Sequence, residues 1–334
     1  TYKHVLSISF ILHAMAEITG SVLLTGGTSG VGLECAKVLA SLQVYDVIIT
    51  GRDVQKGREI AESIGVKFLR LDLSSLSAVR QFVEELKGVL EYPLQTVICN
   101  AGLQFPNNTT RSEDDYEMTF AVNHLGHFLL VHLLLPELLH RPARIVIVSS
   151  GTHDPEQQTG IEPPRYVTAE KISKGELEGP TVITGMKAGQ CAYSTSKLCN
   201  ILFAFELNRR LKQIGVDDIY VNAFDPGLTF GTGLARNYGW FFSFLFRNCP
   251  PWIFQKLWDN VHYVEESGTS LSTLSTDPQY DKLYGFYFEH ENLKPFVADS
   301  SNDSHSRELA DDLWEFSLRA TGLENLETRM KLTK

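Results

Sequence analysis

Tyr193 and Lys197 stand four residues apart in Tyr193-Ser194-Thr195-Ser196-Lys197, at the start of a helical pattern that runs from Cys191 to Lys212. Residues four apart share a helix face, so the phenol and the ammonium can act on one space. A phenol with a pKa of about 10 is a poor acid or base at neutral pH, and a neighbouring ammonium lowers that value by favouring the phenolate. The pair can therefore move a proton, although the same spacing also suits two unrelated residues on a helix surface.

A second constellation is Thr25-Gly26-Gly27-Thr28-Ser29-Gly30-Val31-Gly32, placed between an apolar run and a helical segment. Glycines let a bound group approach the backbone, and a helix N-terminus offers free N–H groups and partial positive charge, so Gly26 to Gly32 is a candidate dinucleotide phosphate site. The spacing is GxxxGxG. The next strand ends Thr50-Gly51-Arg52, with Arg52 20 residues beyond Gly32. An acid there would hold a ribose 2′-hydroxyl, whereas a guanidinium suits a 2′-phosphate. Arg52, assisted by Lys56, points to NADP(H); Asp53 is expected to cap the following helix.

These residues need a frame. Apolar runs at Ser21 to Thr25, Asp46 to Thr50, Val66 to Arg70, Leu94 to Cys99, Arg144 to Ser149 and Ile219 to Phe224 alternate with helical patterns. Those patterns fall at Val31 to Leu42, Ala78 to Leu90, Tyr116 to Leu139 and Cys191 to Lys212. Repeated strand–helix–strand units predict a doubly wound α/β Rossmann fold, a parallel sheet flanked by helices. A last strand is expected at Gly285 to Glu289 and a last helix at Ser306 to Thr321, ending at Gly322.

The motifs together resemble the short-chain dehydrogenase/reductase family. They are the loop Thr25 to Gly32, Asp72, Asn100-Ala101-Gly102, Asn123, Ser149-Ser150, Tyr193-x-x-x-Lys197 and Pro226-Gly227, all in the family's order. The resemblance implies that Tyr193 is the proton donor in reduction, that Lys197 binds the nicotinamide ribose, that Ser150 rather than Ser149 meets the substrate oxygen, and that Asn123 holds a relay water. It further implies cofactor contacts at Gly26, Thr28, Ser29, Gly30, Val31, Gly32, Arg52, Lys56, Asp72, Leu73, Asn100, Ala101, Gly102, Pro226, Gly227 and Thr229. The chemistry implied is hydride transfer with proton transfer.

Ser150 and Tyr193 are 43 positions apart, further than in compact members of the family. The excess, Gly151 to Gln190, is polar and reads as an insertion. With Pro226-Gly227-Leu228-Thr229-Phe230-Gly231-Thr232-Gly233-Leu234, Lys197-Leu198-Cys199-Asn200 and the segment Leu313 to Leu323, it is similar to the branch holding protochlorophyllide reductases and retinol-dehydrogenase-like enzymes. The aromatic segment Arg236 to Asn260, within 228–260, falls where the family places a substrate lid, which implies a bulky, largely apolar substrate such as a specialised metabolite, steroid or retinoid. Peripheral membrane contact or an oligomer contact are the other readings of those aromatics. A homodimer through the Cys191 helix follows by fold analogy alone.

Composition bounds the rest. The chain has 334 residues, 43% hydrophobic, and a net charge of -10, which disfavours nucleic-acid binding. The five cysteines include no CxxC, so reduced thiols in a cytoplasmic setting are expected. His124, His127 and His132 are spaced too unevenly for a metal cluster, and no GxSxG elbow for hydrolysis occurs. Residues 1–20 read as a helix on the domain or a leader remnant, leaving 21–325 as one oxidoreductase domain. Three functions remain: reduction of a bulky ketone or aldehyde, reduction of a C=C bond, or a non-catalytic NADP(H)-binding scaffold.

Overall fold

The structure, a computed structural model, describes residues 17–139, 142–157, 159–229, 261–291 and 293–323. Its centre is an eight-stranded sheet. In chain order the elements are β1 (Gly20–Leu24), α1 (Gly30–Leu42), β2 (Tyr45–Gly51), α2 (Val54–Ile64), β3 (Lys67–Arg70), α3 (Leu76–Val89) and β4 (Leu94–Cys99). They continue with α4 (Gly126–Leu138), β5 (Ala143–Val148), α5 (Gly185–Gln213), β6 (Ile219–Phe224), α6 (Val264–Thr276), β7 (Tyr287–Glu291), β8 (Lys294–Ala298) and α7 (Arg307–Thr321). The spatial order is β8-β7-β6-β5-β4-β1-β2-β3, parallel throughout except for the antiparallel edge strand β8. The predicted doubly wound α/β sheet is therefore present.

Alternation along each strand explains the two cores. Val22, Leu24, Val47, Ile49, Ile98, Val146, Val148 and Phe224 join Cys35 and Leu39 of α1 and Leu271 and Leu274 of α6 on one face. Leu23, Ile48, Val97, Cys99, Ile145, Ile147 and Val221 join Phe82 of α3, Phe128 of α4 and Phe203 of α5 on the other. Both faces are covered, so in the central strands both positions of the period-two pattern are largely apolar and several read as near-continuous hydrophobic runs.

Two elements differ from expectation. Helix α5 begins at Gly185, so Tyr193 lies two turns inside it rather than at its start. The predicted helix Tyr116 to Leu139 is interrupted at Ala121–Leu125 by a π-helical turn that contains Asn123. Such bulges release carbonyls from the regular ladder and are frequent at functional sites. The stretch Met118–Leu138 is long and apolar enough to cross a membrane, but 89% of its most apolar window is buried within the protein, as in a core helix.

Helix α6 and strand β8 had no counterpart among the expected elements. Besides Leu271 and Leu274, α6 buries Ser267, Gly268, Ser270, Ser272 and Ser275. A Cβ at Gly268 would lie 2.8 Å from the Cys35 nitrogen of α1, so these two helices approach closely through small residues. Ser275 Oγ donates to the Leu271 carbonyl at 2.6 Å, which satisfies its hydroxyl within the helix. Strand β7 occupies the position expected for a last strand, two residues later at its N-terminus, and α7 runs to Thr321 with Gly322 in the left-handed conformation at its end.

The insertion 151–190 lies against α5 and α7. Its short helix Ala169–Ser173 accepts the Glu117 N–H at the Ser173 carbonyl at 2.7 Å, and the Ala169 N–H donates to Asp312 of α7 at 2.7 Å. Ser194 Oγ of α5 donates to the Glu162 carbonyl at 2.8 Å. The N-terminal segment 1–16 and residues 230–260 of the expected lid lie outside the described residues.

Candidate active site

The glycine loop follows β1 and leads directly into α1. Gly26 has φ +69°, and a Cβ there would come within 2.9 Å of Ala101 Cα. A Cβ at Gly32 would come within 2.4 Å of both Asn100 Nδ2 and the Gly26 carbonyl oxygen. The loop therefore needs glycine at both places: one for a left-handed turn, one for the contact of α1 with the end of β4. Thr28, Ser29 and Gly30 lie on the solvent-facing side, while Val31 and Gly32 are buried beneath them.

The loop is stapled to Asn100-Ala101-Gly102. Thr25 Oγ1 accepts the Asn100 and Ala101 N–H groups at 3.0 and 2.9 Å, and Asn100 Nδ2 donates to the Thr25 carbonyl at 2.9 Å. His127 lies 2.9 Å from Thr25 Oγ1 through Nε2 and 3.2 Å from the Asn123 carbonyl through Nδ1. A ring nitrogen facing a carbonyl must carry the proton, which makes Nε2 the acceptor. Burial pushes the imidazolium down to about 4, so the ring stays neutral. It links the glycine loop to the π turn that carries Asn123.

Tyr193, Lys197 and Asn123 lie beside these turns, and Ser150 follows Ser149, which is bonded to Lys197, at the end of β5. Tyr193 is 6% exposed and Lys197 4% exposed, with the ammonium 5.5 Å from the phenol ring centroid. Lys197 Nζ donates to the Val148 carbonyl at 3.2 Å, and Gly102 lies beside it, where a Cβ would be 3.6 Å from the nitrogen. Burial pushes the ammonium down to about 8, and the Asp225 carboxylate opposes that shift. An ammonium has three donors, so further donor directions remain for ribose hydroxyls. This buried, incompletely used cation fits a nicotinamide nucleotide bound against the Gly26–Gly32 turn.

The two serines separate cleanly. Ser149 Oγ donates to the Lys197 carbonyl at 2.7 Å and ties β5 to α5. Ser150 is half-buried, and its Oγ accepts the Thr152 N–H at 3.3 Å, leaving its own proton to donate. The Asn123 carboxamide accepts the Leu103 N–H at 2.9 Å and donates to the Leu103 carbonyl at 3.0 Å and to Ser196 Oγ at 2.9 Å. It braces the segment after β4 against α5.

The remaining candidates lie along the C-terminal ends of the strands. Arg52 and Lys56 are exposed and make no ion pair among the described residues; Asp53 caps α2 by accepting the Lys56 N–H at 3.1 Å. Asp72 forms a turn after β3, its Oδ1 accepting the Ser74 N–H at 3.0 Å and the Ser74 hydroxyl at 2.6 Å. The Leu73 side chain is buried in the core, so only its main chain faces outward chemistry. Pro226 accepts from Ser267 Oγ at 2.7 Å, and Thr229 pairs with His262 in a two-residue ladder. Three buried groups escaped the sequence reading as parts of this site: Ser196, His127 and Asp225. Asp225 carried one signal, an acid at the end of an apolar strand just before Pro226-Gly227.

His124 bonds Ser317 and His132 bonds the Phe128 carbonyl, so the three histidines of this segment serve different partners. Cys35, Cys99, Cys191 and Cys199 are free and buried, and burial raises all four thiols above the ordinary range.

This is a Rossmann-type fold with a dinucleotide turn at the carboxyl ends of its strands. Residues 21–162 match the family model described as short chain dehydrogenase. The chain is 34% identical over 326 residues to the protochlorophyllide reductase of Daucus carota, covering 91% of this chain and 78% of that protein. It is 35% identical over 328 residues to the protochlorophyllide reductase of Pisum sativum, with the same coverages of 91% and 78%. A solved structure of an uncharacterized protein from Mycobacterium Paratuberculosis is similar at 26% identity, with a TM-score of 0.66, covering 93% of this chain and 96% of that one. Salutaridine reductase from Papaver somniferum, at 21% identity and a TM-score of 0.55, shares the fold over 80% of this chain and 99% of its own. The chain belongs to the short-chain dehydrogenase/reductase family and is an oxidoreductase of that family.

Proposed function

We propose that this protein reduces a bulky, largely apolar substrate with NADPH, Tyr193 delivering the proton. The observation that carries the reading is the buried Tyr193–Lys197 pair, with the ammonium 5.5 Å from the phenol ring and beside Gly102. A bound NADPH supplies the hydride from its nicotinamide. The chain's own residues do the rest: Lys197 orients the ribose and favours phenolate character on Tyr193, and Ser150 donates to the substrate oxygen. Asn123 fixes the floor of the site; its carboxamide is taken up by Leu103 and Ser196, which leaves no free amide proton for the relay water that the family resemblance implies. Arg52 and Lys56 meet the 2′-phosphate, and the Gly26–Gly32 turn, with Asp72, Leu73, Asn100–Gly102, Pro226, Gly227 and Thr229, borders the cofactor.

The substrate group is a ketone or aldehyde in the reading built from Ser150. A second reading, reduction of a C=C bond, is favoured by the similarity to protochlorophyllide reductases over 91% of the chain. Both additions raise the product mass equally, so NMR of the product distinguishes them: a new carbinol proton marks the first, loss of an olefinic carbon pair the second.

Calorimetric titration with NADPH and NADH, side by side, tests the function. NADPH is expected to bind more tightly, and Arg52→Ala to weaken NADPH by about tenfold to a hundredfold while leaving NADH nearly unchanged, as loss of a charge-assisted phosphate contact predicts. A wild-type preference for NADH overturns the role of Arg52. Folded protein that binds neither cofactor overturns the enzyme reading and leaves the scaffold.

A further inference from the structure

Asp225 is 1% exposed, at the end of β6, where parallel strands β5 and β6 deliver two turns side by side. Its Oδ2 accepts the Gly151 N–H at 2.8 Å, and its Oδ1 accepts the Gly227 N–H at 2.8 Å. The Tyr287 hydroxyl of β7 donates to Oδ2 at 3.3 Å. Three donors converging on two oxygens is the pattern of an ionised carboxylate, which accepts and never donates. The first N–H belongs to the turn presenting Ser150, and the second to the turn Pro226-Gly227.

A neutral acceptor could cap one turn. A single carboxylate bridging both makes their separation a fixed property of the fold, because a buried ionic group fully supplied with donors tolerates little displacement. Its charge also reaches Lys197 on α5, where it opposes the effect of burial. The other titratable groups within its field are His153 after β5, His262 in the short ladder, and Tyr287 and Glu289 on β7. The His153 ring is itself anchored, with Nδ1 donating to the Ser150 carbonyl at 2.8 Å and Nε2 accepting the Ser301 N–H at 3.0 Å.

From this geometry we infer that Asp225 is a positioning residue: one buried carboxylate that locks the Ser150–Gly151 turn to the Pro226–Gly227 turn and stands as counter-charge to Lys197. The inference rests on the proposed roles of Lys197 and of the NADPH site. It acts through those groups and touches no reacting atom.

The test is Asp225→Asn in the full chain. The carboxamide keeps the shape but turns an N–H toward one of the two backbone donors and removes the charge. NADPH affinity by calorimetry is expected to fall by about tenfold, the order of one buried donor left without its partner. The Lys197 side chain, followed by NMR of labelled lysine and identified by its loss in Lys197→Met, is expected to titrate below the wild-type midpoint. A structural cap alone would leave that titration in place. If thermal melting shows that Asp225→Asn is poorly folded, Asp225→Ser, a neutral acceptor, takes its place. Both effects together support the inference; an unmoved lysine midpoint, or unchanged NADPH affinity, in a folded variant overturns it. Wild-type protein that fails to bind NADPH would remove the underlying functional reading instead, so the two failures are distinguishable.

Discussion

Tyr193→Phe is expected to lower NADPH-dependent turnover by about a hundredfold to ten-thousandfold, the range that general acid catalysis contributes, with NADPH affinity nearly unchanged. The substitution removes one oxygen and leaves the ring. That ring is 6% exposed and lies within helix α5, whose remaining contacts are untouched, so the backbone has no reason to shift. Lys197 keeps its bond to Val148 and its place beside Gly102, so the proposed ribose contacts are expected to survive. Only the proton is lost. The measurement is steady-state reduction of a panel of aromatic ketones and aldehydes, paired with calorimetric titration of NADPH. Wild-type turnover by the variant would remove Tyr193 from the mechanism; a matching collapse of NADPH binding would make its role structural.

The second large effect lies in pH. Burial pushes Lys197 down to about 8, which places its loss of charge near physiological pH. The sign follows from which form works. In the proposed mechanism the ammonium is the working form, because only it can donate to the ribose and favour the phenolate, and it is the form present below the midpoint. For the free enzyme, kcat/KM for NADPH is therefore expected to fall as pH rises through about 8, because kcat/KM reports the ionisations of the unliganded site. Lys197→Met should flatten this limb and lower kcat/KM on the order of a hundredfold, consistent with losing charge-assisted bonds to the ribose. A wild-type profile level to the alkaline end would show that the ammonium is not what the reaction uses.

Much of this site was legible in the chain because it depends on local chemistry. Gly26 and Gly32 announce a turn that only glycine permits, and the structure gives the reason as contacts with Ala101 and Asn100. The central strands were legible because both faces of the sheet are covered, which makes several of them near-continuous apolar runs. Asp53 was read as a cap and accepts the Lys56 N–H. The spacing of Tyr193 and Lys197 put them on one helix face, and that face is fixed by the period of the α-helix alone.

What stayed hidden depends on partners far away in sequence. Helix α6 buries only Leu271 and Leu274 as apolar side chains beside Gly268 and four serines, and small residues reveal their use only when the neighbouring helix is in place. The π turn at Asn123 follows from a carboxamide that must reach Leu103 and Ser196 together, 20 and 73 positions away. His127, whose spacing from His124 and His132 spoke against a metal cluster, is a neutral bridge between Thr25 and Asn123. The sequence by itself determined the residue types that can bind a dinucleotide and move a proton, because turn sterics and helical period are local. Only the tertiary structure decided that Ser149 is spent on Lys197, that Ser150 is not, and that Asp225 joins two turns. Those assignments arise where parallel strands end side by side, and hydrogen bonds there pair residues that no spacing along the chain relates.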